Sequence, residues 1–127
     1  MKTQKPQDIA LEYINALGKH DYDAIAKLLA PDAVLVGPAA TRTGVPEILG
    51  ALKRLAAIHV RSDVRKVFAD GDDVCIIYDF VTDTPAGAVA TIEWLKIDNG
   101  LIRSTNLYYD RVPWQIVGDE MKKRAAA

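Results

Sequence analysis

The chain is poor in the residues that most often announce a chemistry. It has one cysteine, Cys75, and two histidines, His20 and His59, in 127 residues. A lone cysteine excludes an internal disulfide, and its place in the apolar run Val74-Cys75-Ile76-Ile77-Tyr78 fits a reducing compartment. No cysteine or histidine stands at metal-ligand spacing from another, so neither metal nor cofactor is expected. Charge of one sign is not in excess: Lys and Arg number 16, Asp and Glu 17, for a net −1. That leaves no basic field to hold nucleic acid or an anionic membrane surface. No apolar run approaches the length of a membrane span. The opening Met1-Lys2-Thr3-Gln4-Lys5-Pro6 lacks the core of a signal peptide, and the cytoplasm is the expected location. No glycine-rich phosphate loop follows a strand, no serine sits in a nucleophile elbow, and there is no internal repeat.

What remains is ordinary globular composition, 50% hydrophobic and 26% charged, in a length that suits one domain able to bury a core. We read residues 1–127 as that domain, with a core over about 7–114 and a tail over 115–127. The end, Lys122-Lys123-Arg124 and three alanines, reads as a frayed helix, a disordered end or an expression remnant.

Residues 7–18 predict an amphipathic helix. Ile9, Tyr13, Ala16 and Leu17 fall at i, i+4, i+7 and i+8, with Pro6 at the entrance and Gly18 at the exit. Tyr13 then lies mid-helix on the buried face, where its hydroxyl needs a partner. Asp21 suits the cap of a second helix over 22–30, ended by Pro31. Residues 33–36 predict a short strand and 37–44 a loop. Pro46 opens a third helix to about 58, striped by Ile48, Leu52 and Leu55. His59 continues that stripe, read chiefly as a helix C-terminal histidine interacting with the dipole and alternatively as a ligand contact. Val60–Ala69 alternates imperfectly, which predicts a bulged strand. Val74–Thr82 is the next strand, with Val74, Ile76, Tyr78 and Phe80 on one face.

The stretch from Ala88 to Tyr109 is two β-branched, aromatic-rich runs around Asp98-Asn99-Gly100, a hairpin signal. Alternation puts Thr91, Glu93, Leu95 and Ile97 on one face, and Ala90, Ile92, Trp94 and Lys96 on the other. On the return, Arg103, Thr105, Leu107 and Tyr109 share a face, opposite Ile102, Ser104, Asn106 and Tyr108. Glu93 stands out as an ionisable group on an otherwise apolar face. Both faces of the strand at 74–82 are apolar, so a second subunit is expected to cover the outer one and make a homodimer. The whole is α+β: three N-terminal helices packed on a strongly curved, mainly antiparallel sheet that forms a conical pocket.

The run Tyr13-Ile-Asn-Ala-Leu-Gly-Lys-His-Asp-Tyr-Asp-Ala-Ile-Ala-Lys-Leu-Leu-Ala-Pro-Asp-Ala-Val34, then Arg42-Thr-Gly44, Ile92-Glu-Trp-Leu-Lys-Ile97 with Asp98-Asn-Gly-Leu-Ile102, and Tyr108-Tyr-Asp-Arg111 carry a resemblance. In this order and spacing, over roughly residues 7–114, the chain resembles the nuclear transport factor 2-like superfamily, in particular its SnoaL-like and ketosteroid-isomerase-like branches. The resemblance implies a curved sheet, a conical pocket and a homodimer, but no single chemistry, because the fold hosts isomerases, epoxide hydrolases, cyclases and non-catalytic binders.

In ketosteroid isomerase a helix tyrosine and a strand carboxylic acid kept neutral by an apolar site form the oxyanion hole. Tyr13 matches the tyrosine position and Glu93 the acid position. The general-base position falls at Val36-Gly37-Pro38, where Gly37 offers no side chain. The acid–arginine–acid set of limonene epoxide hydrolase would fall on Glu93, Thr91 and Leu107, and only Glu93 is of the required type. The acid/base aspartate of the SnoaL-like cyclases has no mapped counterpart, and Asp110 reads as structural. The candidate catalytic pair is therefore Tyr13 with Glu93. The expected ligand-binding walls are Tyr78, Phe80, Thr91, Leu95, Thr105, Leu107 and Tyr109, with His59 nearby. The expected ligand is a small apolar or moderately polar molecule. Trp94 is assigned to the dimer face, Trp114 to packing the C-terminal segment, and Arg61, Arg65 and Lys66 to a solvated strand edge. Arg103 reads as a solvated side chain near the hairpin loop or a carboxylate clamp at the pocket rim. Two functions stand: a cofactor-free acid–base isomerase, hydrolase or cyclase, and a non-catalytic ligand-binding or dimerisation module.

Overall fold

The computed structural model describes residues 4–127; the first three residues of the opening segment read for a leader lie outside them. Helix α1 spans Pro6–Gly18, α2 Tyr22–Leu28 and α3 Val45–Leu55. Strand β1 spans Leu29–Val36, β2 Thr41–Thr43, β3 His59–Asp70, β4 Asp73–Thr82, β5 Ala88–Asp98 and β6 Leu101–Tyr108, and helix α4 spans Arg111–Ala126. The six strands form one sheet in the order β2-β1-β6-β5-β4-β3. All pairings are antiparallel except β1 with β6, which is parallel.

The helix stripes pack where the spacing places them. Ile9, Tyr13, Ala16 and Leu17 of α1 are buried, as are Ile48 and Leu52 of α3. They meet the inner face of the sheet, where Val74, Ile76 and Leu95 have no exposed surface. Each such aliphatic side chain contributes about 2 kcal/mol on burial. The Asp21 carboxylate accepts a hydrogen bond from the Ala24 amide at 3.1 Å, the cap that starts α2. The β5–β6 turn is tight because Asn99 and Gly100 both take positive φ, 52° and 76°, the backbone a two-residue hairpin requires. Strand β3 carries register shifts between His59 and Arg61 and between Val64 and Lys66, which accounts for its imperfect alternation.

Several expectations are corrected. Among the described residues there are four helices rather than three. The C-terminal segment is the sixteen-residue α4, begun by Asp110, whose carboxylate accepts from the Val112 amide at 2.9 Å. Of α4 only Val117 is fully buried, with Trp114 and Met121 half-buried against the core beside it, a narrow stripe for a sixteen-residue helix. Helix α2 stops at Leu28 and β1 starts at Leu29, earlier than the strand expected over 33–36; the β1–β6 register shifts between Leu29 and Val34, and Pro31 sits in that irregularity. The loop at 37–44 contains β2. His59 does not extend α3: the helix ends at Leu55 and His59 is the first residue of β3. On β6 a register shift between Lys96 and Ile97 turns Ile102 inward, with no exposed surface, and leaves Arg103 exposed. Among the described residues no helix is long and apolar enough to cross a membrane.

Candidate functional site

Between the inner face of the sheet and the helices lies a cavity of about 330 Å³, the size of a small-molecule site. Its depths are set by β4 and β5. Tyr78, Phe80, Thr91 and Glu93 all line it, because alternate residues of the two strands point inward. Tyr13 and Leu17 close it from α1, Leu52 and Leu55 from α3, and Leu107 and Tyr109 from the end of β6. Trp114 and Met121 of α4 line it too.

Glu93 is the one acidic side chain buried among the described residues, at 1% exposure. Its direct cross-strand partners are Ile76 and Leu107, which offer it nothing polar. It reaches diagonally instead. The Tyr78 hydroxyl donates to Oε1 at 2.8 Å, and the Thr105 hydroxyl donates to Oε2 at 2.5 Å. Burial raises the Glu93 pKa above the ordinary glutamate value, opposed by the two hydrogen bonds, of which that from Thr105 weighs more. Desolvation disfavours the charged form and hydrogen bonds to the carboxylate favour it; here desolvation wins. Tyr13 and Tyr78 are both fully buried phenols pushed well above the usual tyrosine range, first by burial and then by the nearby Glu93 carboxyl. Tyr109 is raised by burial, with Arg111 pulling the other way.

The arrangement differs from the expected pair. Tyr13 and Glu93 share the cavity, but the carboxyl is held by Tyr78 and Thr105, and Tyr13 forms no hydrogen bond to it. Of the expected walls, Tyr78, Phe80, Thr91, Leu107 and Tyr109 line the cavity. Leu95 lies in the core and Thr105 behind the carboxyl it supports. His59 stands behind the wall, stacked on Phe80 with ring centroids 4.1 Å apart, its Nε2 3.0 Å from the Ser62 hydroxyl. Burial and then His20 lower its pKa, against a backbone hydrogen bond at Arg61, and its ring packs on Phe80 rather than facing the cavity. Phe80 in turn packs on Trp114 at 5.4 Å, and Trp114 on Tyr109 at 5.2 Å.

Gly37 does line the cavity. A Cβ there would meet the Tyr109 hydroxyl at 3.5 Å and Leu107 at 4.0 Å, so the position points at the cavity and the Tyr109 phenol stands beside it. Sequence reasoning missed Arg42 and Arg54 as lining residues. The signal for Arg54 was present: it follows Ala51 by three and precedes Leu55, on the cavity side of α3. Trp114 and Met121 were not legible as lining, because α4 was not.

A six-stranded curved sheet wrapped by helices around an apolar cavity is the nuclear transport factor 2-like fold. The SnoaL-like domain family matches residues 10–105, and the chain belongs to it. None of the curated proteins compared matches the chain. Among solved structures, a nuclear transport factor 2-like protein of unknown function from Cytophaga hutchinsonii is 29% identical, with a TM-score of 0.77 over 91% of this chain and 99% of that one. A protein from Kribbella flavida is 25% identical, with a TM-score of 0.82 over 92% and 96% of the two chains. A protein from Catenulispora acidiphila with a ketosteroid isomerase-like fold, in complex with trimethylamine, is 27% identical, with a TM-score of 0.73 over 84% and 88%.

Proposed function

We propose that this protein binds a small, largely apolar molecule in the cavity and acts on it by cofactor-free acid–base chemistry of the isomerase, epoxide hydrolase or polyketide cyclase type. The observation that carries the reading is Glu93: a single carboxyl, buried, lining an apolar cavity, with its pKa raised by desolvation. A carboxyl whose charged form is disfavoured by burial is suited to hold and release a proton. In this reading Glu93 is the catalytic residue, Tyr13 is a second donor to a developing oxyanion, and Tyr78 and Thr105 are positioning residues. Loss of one oxyanion donor typically costs about 3 kcal/mol of transition-state stabilisation.

The test is turnover of a panel of enones, epoxides and polyketide-like ketones, followed by mass spectrometry, with Glu93→Gln and Tyr13→Phe alongside. Conversion abolished in Glu93→Gln supports the enzyme. Full turnover in both variants removes the proposed chemistry. A second reading, a non-catalytic binding module, is favoured by Gly37, which leaves the family's base position without a side chain; ligand binding without conversion across the panel supports it.

A homodimer through the outer sheet face belongs to the same proposal. Phe68, Cys75, Trp94 and Asn106 form one cross-strand row there, and Lys66, Ile77, Ile92 and Tyr108 the next. Phe68, Ile92, Trp94 and Tyr108 are exposed. Two rows of aromatic and aliphatic groups left in water are the pattern of an interface.

A further inference from the structure

The cavity is apolar but its open side is not neutral. Its depths are marked by Glu93 and Tyr78, both buried, and its open side by Arg54, which is exposed. Arg42 lines the same cavity and is half-buried. Two independent geometries bring these cations there. Arg42 on β2 pairs with Leu35 of β1, and Leu35 is buried on the inner face, so Arg42 projects from that face as well. Arg54 stands on the cavity side of α3, one turn beyond Ala51.

Neither guanidinium has an acidic partner among the described residues. Arg61, Arg65 and Arg124 do, with Asp63, Asp79 and Asp83. The one acid lining the cavity is Glu93, already held by Tyr78 and Thr105. In a chain of net charge −1, two uncompensated arginines on one apolar cavity are a local positive field facing a hollow. A guanidinium presents a planar fork that matches a carboxylate.

We propose that Arg42 and Arg54 form the recognition site for a carboxylate carried by an otherwise apolar ligand, whose body fills the cavity and whose far end meets Glu93. This rests on the reading of the cavity as a small-molecule site and adds the class of molecule. The ligand is an amphiphilic acid: a ring system or branched hydrocarbon with a carboxylate at one end and a carbonyl or hydroxyl at the other. The carboxylate fixes which end enters first, and so which atom is presented to Glu93. A tertiary or quaternary amine of the same body is disfavoured at this opening.

The test is calorimetric titration of the full chain with three probes of one shape: 2-naphthoate, its methyl ester and a naphthylmethyl trimethylammonium salt. The expected result is 2-naphthoate binding about tenfold tighter than the ester at low salt, an advantage that shrinks as salt screens the exposed arginine. Arg42→Ala and Arg54→Ala each weaken naphthoate and leave the ester unchanged, and the double variant makes the two equal. Equal binding of acid and ester to the unaltered protein overturns the proposal, as does tighter binding of the ammonium salt or no binding by any probe. The two readings fail separately. Arginine-dependent preference for the acid with turnover unaffected by Glu93→Gln retains this site and removes the acid–base chemistry; Glu93-dependent turnover with no preference for the acid does the reverse.

Discussion

Replacing Glu93 by Gln keeps the shape of the side chain and removes its charge, so it isolates the cost of burying a carboxylate. In the folded protein the group has its pKa raised above 4.5 by desolvation, whereas in the unfolded chain it titrates near the ordinary value. The native state therefore holds the proton more tightly than the unfolded state over the window that opens near pH 4.5 and closes at the folded pKa. Within that window stability falls as pH rises, by about 1.4 kcal/mol per pH unit; below it the penalty is absent, and above it the penalty is complete.

Glu93→Gln does not titrate, so the stability of the variant minus that of the unaltered protein rises with the same slope. At low pH the amide must face the Tyr78 and Thr105 hydroxyls, which can turn to accept, and the variant is expected to be less stable by about 1 kcal/mol or less. As pH rises through the window the difference moves steadily in the variant's favour. The assay is urea unfolding of both proteins at a series of pH values from about 3.5 to about 8, with the difference taken at each pH so that other titrating groups cancel. A difference that stays flat across the series, or that falls with rising pH, refutes the reasoning; the latter would mean that the two hydrogen bonds outweigh burial.

Thr105→Val is expected to destabilise by about 1–3 kcal/mol, since it strands one oxygen of a buried carboxyl, and to move the pH window upward; an unchanged midpoint in urea would contradict the hydrogen bond's role. Trp94→Glu, on the outer face, is expected to shift sedimentation from dimer to monomer while leaving the far-ultraviolet circular dichroism unchanged, and a stable monomer of the unaltered protein at micromolar concentration would end the dimer proposal. Arg124 ties α4 down: its guanidinium meets the Asp83 carboxylate at 2.9 Å, and donates to the carbonyls of Ala57 and Asp83, each at 3.2 Å. Arg124→Ala is expected to speed amide exchange across α4 selectively, with α1 and β5 unchanged; uniform exchange rates would show that the clasp is idle. Gly37→Ala is expected to change stability by less than about 1 kcal/mol, because its Cβ meets nothing closer than 3.5 Å and its backbone is not left-handed; a large loss would mean that the cavity wall there cannot yield.

Local pattern was enough to place Glu93 on the inner face of β5, because a strand's alternation depends only on parity along one segment. The same holds for the buried stripe of α1 and for the Asn99-Gly100 turn, each fixed by residues within a few positions of one another. Which hydroxyls hold Glu93 was beyond that reach. Tyr78 and Thr105 meet it diagonally, through the registers that pair Tyr78 with Thr91 and Leu95 with Thr105, and register belongs to three strands at once. The bulge that turns Ile102 inward is a property of the pairing and leaves no mark in the alternation. Helix α4 fully buries only Val117, with Trp114 and Met121 half-buried on the same side, so its place against the cavity rests on a narrow three-residue stripe together with a cap at Asp110 and a clasp at Arg124. The two arginines of the opening were plain in the sequence as residues; only the folding of β2 beside β1, and of α3 across the sheet, brings their charges to one hollow.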